Sequence, residues 1–123
     1  MKRYKYAVED LIKACKYAPW ETHYKMQLGK TYQKQAEIQK ETAQKIHYYL
    51  LALNEYEKCI KIDNQNPWYK NRKAIIYQTL AQVEPNKREY YMKKAKEYNY
   101  LASENDKKNP LFQLNYAYFL HKS

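Results

Sequence analysis

The stretch Asn66–Leu80, NPWYKNRKAIIYQTL, has an earlier echo in APWETHYKMQLGKTYQKQA (Ala18–Ala36) and a later one in NPLFQLNYAYFL (Asn109–Leu120). Each carries a proline near its start, runs into aromatic residues, and then reaches a small residue: Gly29, Ala74 or Ala117. These small residues lie 45 and 43 residues apart. A second series, Ala7, Ala52 and Ala95, interleaves with the first and shows the same two spacings. Two independent series in one register define an internal repeat, the signature of an array built from one supersecondary unit.

The segments around both series have helical periodicity. In YAVEDLIKACKYAP, Ala7, Leu11, Ala14 and Ala18 recur at three- and four-residue steps and form one apolar helix face. LALNEYEKCIKID repeats this with Ala52, Tyr56, Cys59 and Ile60, and KAKEYNYLASEND with Ala95, Tyr98 and Ala102. These are the second-type helices. The proline-led segments are the first-type helices, with buried stripes expected at Tyr24, Leu28 and Tyr32, at Tyr69, Ile76, Tyr77 and Leu80, and at Phe112, Tyr116 and Leu120. Gly29, Ala74 and Ala117 let a neighbouring helix approach, where a larger side chain would hold it away.

Pro19, Pro67 and Pro110 are expected to open the first-type helices, since proline suits a first turn whose N–H has no partner anyway. Asp63, Asp106, Asn64, Asn66 and Asn109 supply turn chemistry just before. Pro85 marks a break ahead of the helix holding Ala95. The equivalent break is expected at 40–42, where neither Gly nor Pro marks it. Tyr4, Tyr48 and Tyr91 sit three or four residues before Ala7, Ala52 and Ala95, so these tyrosines follow the repeat and are read as packing between helices.

Composition agrees with helices. A chain of 123 residues forms one domain with a modest core, and a single Gly with four Pro leaves few sharp turns. Lys, Glu, Gln, Ala and Leu are plentiful. No apolar run approaches a membrane span, and MKRYKYAVEDLIKAC is interrupted by charge throughout, unlike a signal peptide. The net charge of +10 suits nucleic acid or an anionic polymer, but only Arg3, Arg72 and Arg88 are arginines. A Lys-, Asn-, Tyr- and Ile-rich codon bias with a solvated surface is the preferred reading over nucleic-acid binding. Cys15 and Cys59 lie far apart and have no CxxC partner, and His23, His47 and His121 do not complete zinc spacing, so buried thiols and no metal are expected.

These residues resemble the tetratricopeptide repeat (TPR). The resemblance rests on Leu28-Gly29-x-x-Tyr32 in one helix and on Ala52-x-x-x-Tyr56-x-x-Cys59 with Ile62-Asp63-Asn64 in its partner. Ala74-x-x-Tyr77 with Ala95 and Ala102, and Ala7, Leu11, Ala14 and Pro19, extend it across nearly the whole chain. A typical TPR repeats every 34 residues, so the helices here are lengthened. The resemblance implies an all-α fold of antiparallel helix-pair repeats, about six helices forming a short right-handed TPR-like superhelix. The expected divisions are a second-type helix at about 3–18, repeats at about 19–63 and 66–106, and a first-type helix at about 110–121. Opening on a second-type helix and closing on a first-type helix makes the segment look excised from something longer. Long-helix TPRs with such proline–aromatic starts and NP turns are similar to the C-terminal region of O-antigen ligase-like proteins, which are polytopic and handle lipid-linked polysaccharide. That implies a soluble domain attached to a membrane protein whose chemistry lies elsewhere.

No catalysis and no cofactor are expected from this segment. Ser occurs only at Ser103 and Ser123, and one Gly cannot build a nucleophile elbow or phosphate loop. The carboxylate pairs Glu9–Asp10 and Glu55/Glu57 are read as solvated helix charges. By the TPR resemblance a partner-binding groove is lined by first-type helices: His23, Gln27, Lys30 and Lys34, then Asn71, Arg72, Ile75 and Thr79, then Asn115 and Tyr118. Lys30, Lys34 and Arg72 suit a carboxylate or phosphate, and Gln27, Asn71 and Asn115 a peptide backbone. The clamp of chaperone-binding TPRs is not reproduced, because Met26 and Ile75 occupy slots that want polar residues. The expected partner is a protein or peptide, or another domain of the parent, with self-association through exposed solenoid ends as a further expectation.

Overall fold

Six helices follow one another with short links: α1 (Lys2–Tyr17), α2 (Thr22–Ile38), α3 (Thr42–Ile62), α4 (Pro67–Val83), α5 (Arg88–Asn105) and α6 (Pro110–Lys122). A 3₁₀ turn, Pro85–Lys87, leads into α5. The computed structural model describes residues 2–122, with side chains described for 3–121, so Ser123 lies outside the described residues. Among the described residues there is no strand, and the fold is all-α. The chain divides into two compact units, Met1–Asp63 and Asn64–Ser123. The first packs α1 on α2 and α2 on α3, and the second packs α4 on α5 and α5 on α6.

The repeat reappears as repeated hydrogen-bond chemistry at the helix ends. Side-chain oxygens of Glu21, Asn66 and Asn109 accept the N–H two residues on, from His23, Trp68 and Leu111, each at 3.0 Å. Each cap satisfies one of the orphan donors of a first turn, worth about 1 kcal/mol when the capping residue is a good one. At the other end, the N–H groups of Ala18, Asp63 and Asp106 donate to the carbonyls of Ala14, Cys59 and Ala102, at 2.9, 2.9 and 3.2 Å. These positions keep the 45- and 43-residue offsets.

The change from 45 to 43 has a location. α2 and α4 are both 17 residues long. Residues 39–41 link α2 to α3, whereas Glu84 alone links α4 to the 3₁₀ turn, and that turn plus α5 occupies the register of α3. The break expected at 40–42 is therefore present at 39–41, one residue early. Pro19 departs from expectation: it lies in the turn before α2 and does not open the helix, whereas Pro67 and Pro110 are first helical residues. Glu21 caps α2 instead, and the Glu21 N–H reaches back to Ala18 O at 3.0 Å, closing the turn that contains Pro19.

In the first unit α2 and α3 approach closely at Gly29. A Cβ there would stand 2.9 Å from Tyr56 Cζ, so the absence of a side chain on α2 is what admits the ring of α3. Tyr56 is fully buried and donates its hydroxyl hydrogen to Gln33 Oε1 at 2.5 Å. Leu28, Tyr32, Ala36, Tyr49, Ala52 and Leu53 fill the rest of this core. In the second unit Tyr69, Ala74, Ile76, Leu80, Ala95, Ala102 and Phe112 are buried. Tyr77 stacks on Tyr98 with centroids 5.8 Å apart, and Lys73 Nζ lies 4.3 Å from the centre of the Tyr98 ring and donates to its hydroxyl at 2.9 Å. On α6 the expected stripe shifts: Phe119 is buried and Leu120 is 49 % exposed. Tyr116 of α6 packs against Tyr100 of α5 at 5.2 Å, and Phe112 and Phe119 are the buried residues of α6.

Two lysines form part of the framework. Lys25 Nζ donates to Pro19 O and Lys70 Nζ to Asn64 O, both at 2.7 Å and both across six residues. The two lysines are 45 residues apart, as are their acceptors. Each buries its methylene stem and clips the preceding turn with its ammonium group, which gives the buried charge a partner. Lys70 Nζ also donates to Asn105 Oδ1 at the end of α5.

Candidate partner-binding stripes on the first-type helices

His23, Gln27, Lys30 and Lys34 advance by four, three and four residues, so they share one face of α2. The same register positions on α4 are Trp68, Arg72, Ile75 and Thr79, and on α6 they are Leu111, Asn115 and Tyr118. Every residue of this stripe is exposed or half-buried, while the neighbouring register positions 28 and 29, 73 and 74 are buried. The stripe holds nine of the ten sequence-expected groove residues. Asn71 is the exception. It is 6 % exposed, and its Oδ1 accepts from Asn115 Nδ2 at 3.3 Å. One residue from Arg72 is about 100° around the helix, which turns Asn71 toward α6 and away from solvent.

The stripe differs in chemistry between the units. On α2 it is polar and basic. On α4 and α6, which meet through the Asn71–Asn115 bond and a Trp68–Phe112 edge contact at 4.9 Å, it carries large apolar groups. Trp68, Ile75, Leu111 and Tyr118 are all more than two-fifths exposed, with Arg72 among them. Phe112 packs edge-on against the indole of Trp68, which stays 44 % exposed. Trp68 and Leu111 escaped the reading by residue type, yet the 45- and 43-residue offsets applied to His23 lead directly to them. The Thr79 hydroxyl is committed to Ile75 O at 3.0 Å and adds no donor.

Each unit also holds an open cleft. In the second, a cleft of about 740 Å³ between the start of α5 and the end of α6 is lined by Arg88, Met92, Lys93, Lys96, Tyr118 and Phe119. In the first, a cleft of about 560 Å³ is lined by Ile12, Cys15, Lys25, Tyr32, Glu55 and Lys58. Glu55, expected to be a solvated charge, is buried at 7 % exposure, and its carboxylate pairs with Lys58 Nζ at 3.1 Å. It sits one residue before Tyr56 on the packed face of α3, and the lysine one turn later supplies the compensating charge.

Cys59 is fully buried and lies 3.7 Å from Thr22 O, and burial above all pushes its thiol up to about 12. Cys15 is half-buried and raised for the same reason. Both remain protonated at neutral pH, which suppresses thiolate reactivity. Among the described residues no three His, Cys, Asp or Glu side chains gather where a metal ion would fit, and no described helix is long and apolar enough to cross a membrane. No protein-family model matches this chain, and no curated protein matches it.

Proposed function

We propose that this chain is a non-catalytic helical-repeat scaffold of TPR type, binding a protein or peptide through the solvent-facing stripes of its first-type helices. The observation that carries this reading is the stripe itself. The positions 23/68/111, 27/72/115 and 30/75/118 stay accessible in every first-type helix, although most other register positions are spent on packing and caps. A partner for the second unit offers an apolar or aromatic anchor to Trp68, Ile75 and Tyr118 and a carboxylate to Arg72. A partner for the first unit is acidic, to suit Lys30 and Lys34. The similarity of the long-helix repeat to the tails of O-antigen ligase-like proteins makes a polysaccharide-assembly partner the first to test.

Selection from a displayed peptide library, followed by titration of the selected peptides, tests the reading. Replacing Lys30, Lys34 and Arg72 with Glu lowers affinity by about tenfold or more, equivalent to one strong contact, with little change in melting temperature because all three side chains are outside the core. Unchanged affinity removes the stripes from consideration. The competing reading, a basic surface for nucleic acid or an anionic polymer, draws on the net charge of +10. It requires binding to DNA, RNA or anionic polysaccharide that falls steeply with salt through counterion release.

A further inference from the structure

The two most exposed large apolar side chains of the described residues stand three residues apart in one turn. Tyr17, the last residue of α1, is 86 % exposed, and Trp20, between α1 and α2, is 70 % exposed. This exposure belongs to the turn. The register equivalents of Tyr17 are Ile62 and Asn105, and those of Trp20 are Gln65 and Lys108. Both later turns follow a complete pair of a first-type and a second-type helix, yet Ile62, Gln65 and Lys108 are exposed all the same and Asn105 is half-buried. What sets the first turn apart is residue type, since it alone places an aromatic side chain at both positions. The bonds that close the turn come from other residues: the Glu21 N–H donates to Ala18 O and Lys25 Nζ to Pro19 O.

The surroundings of the two rings are basic. Lys13 and Lys16 are exposed in the last two turns of α1, and 45 residues later Lys58 and Lys61 are exposed in the last two turns of α3. α3 ends beside the same turn, because Cys59 Sγ lies 3.7 Å from Thr22 O, and Lys16, Pro19 and Lys58 line one cleft. In the second unit these register places hold Leu101 and Glu104, so the helix pair does not require lysine there. The carboxylates at this end are Glu21, which accepts the His23 N–H, Asp63, and buried Glu55, which is paired with Lys58.

We infer that the turn between α1 and α2 rests on an anionic lipid bilayer, with Tyr17 and Trp20 among the headgroups and Lys13, Lys16 and Lys61 against the lipid charge. Tyrosine and tryptophan each join an apolar ring to a polar handle, the combination that settles at a membrane–water boundary. Lysines beside them add attraction to anionic lipid. A bilayer receives two protruding rings without a shaped pocket for each, and no described helix is long and apolar enough to cross it, so the contact is interfacial and reversible. It uses neither the stripe of α4 nor that of α6, and it stands apart from the partner reading above.

The test uses single-tryptophan forms of the 123-residue chain: Trp68→Phe leaves Trp20 as reporter, and Trp20→Phe leaves Trp68. Each is titrated with vesicles of phosphatidylcholine alone and of equal parts phosphatidylcholine and phosphatidylglycerol. On the anionic vesicles only, Trp20 emission shifts to shorter wavelength and is quenched by brominated lipid, while Trp68 is unchanged. Lys13→Glu with Lys16→Glu weakens partitioning by about tenfold or more, and raised salt weakens it too. Tyr17→Ser with Trp20→Ser, read by co-sedimentation, weakens it as much, and circular dichroism shows the fold intact because both side chains lie outside the core. A Trp20 that stays in water on anionic vesicles at low salt overturns the inference and leaves the turn to a protein partner. Quenching of Trp68 as strong as that of Trp20 also overturns it, since the chain then adsorbs by no particular face. So does a Tyr17→Ser, Trp20→Ser chain that co-sediments as well as the unaltered one, which reduces the binding to charge alone.

Discussion

Gly29→Ala should destabilise the first unit, against the usual preference of helices for alanine. In an unconstrained helix interior the substitution gains about 1 kcal/mol. Here the new methyl would lie 2.9, 3.0 and 3.2 Å from Cζ, Cε1 and Cε2 of Tyr56, where ordinary carbon contacts are about 3.5–4.0 Å. α2 and α3 must separate by about half an ångström, or the ring must turn. The ring is fully buried and anchored through its hydroxyl to Gln33 Oε1, so neither movement is free. Overpacking of this kind costs about 1–3 kcal/mol, which leaves a net loss of up to about 2 kcal/mol after the helix gain. For a unit of this size that lowers the melting temperature by up to about 10 °C.

The assay is thermal and urea unfolding followed by far-ultraviolet circular dichroism on Gly29→Ala, Tyr56→Leu and the double variant. With leucine at 56 the methyl has room, so Gly29→Ala becomes stabilising and the pair shows a coupling of about 2 kcal/mol. A rise in melting temperature for Gly29→Ala alone, or a coupling below about 0.5 kcal/mol, would refute the claim that this glycine exists to admit the ring.

Gln35 is buried and its Oε1 has no hydrogen-bond partner, while its register equivalent on α4 is the fully buried Leu80. Gln35→Leu should therefore raise stability by about 1–2 kcal/mol in urea unfolding, and a loss would mean the amide has a role that the packing does not show. Lys70→Met leaves the Asn64 carbonyl and the Asn105 amide oxygen without their donor, so it should cost about 1–3 kcal/mol, and an unchanged midpoint would show the clip to be ornamental. Burial, aided by the hydrogen bond to Glu84, pushes the Tyr91 hydroxyl up to about 12, and burial does the same for the Cys59 thiol. The folded state holds both protons after the unfolded chain begins to release them near 9 and 10, so these two groups should make stability fall as pH rises from about 9 to 12. Urea midpoints across that range check the sign. Tyr91→Phe should reduce the slope.

The repeat was legible because helix packing demands the same geometry each time, and geometry leaves its mark in spacing. Small residues at 29, 74 and 117 and second-type faces at 7, 52 and 95 located all six helices. Where residue type substituted for spacing, the reading slipped. Pro19 looks like Pro67 and Pro110, but the side chain of Glu21 caps α2, and a helix starts where its first N–H groups find acceptors. Leu120 looks like a core residue, but it is 49 % exposed, and Phe119 beside it is the buried one. Glu55 and Lys70 look like surface charges, because a composition-based reading cannot see a partner that arrives from elsewhere in the fold. The accessible stripe followed the same rule. Nine of the ten residues expected in the groove sit on one register line, and Trp68 and Leu111 lie on that line too.

What recurs along this chain is a physical role, filled each time by a different residue. The cap at 21, 66 and 109 is a side-chain oxygen, whether it belongs to Glu or Asn. The fourth position of the first-type helix sends a donor back to an earlier carbonyl, through lysine twice and through the Gln113 amide the third time. The close contact between helices pairs a small residue with a different partner each time: glycine faces tyrosine, and alanine is in register with asparagine. Substitutions that preserve a role are cheap, and substitutions that preserve only residue type are not. Repeats under that constraint drift apart in sequence while their register stays fixed. On the stripe, whose side chains stay accessible in each first-type helix, the residues are polar and basic on α2 and include large apolar groups on α4 and α6. That difference is where the proposed partner specificity of the two units would be encoded.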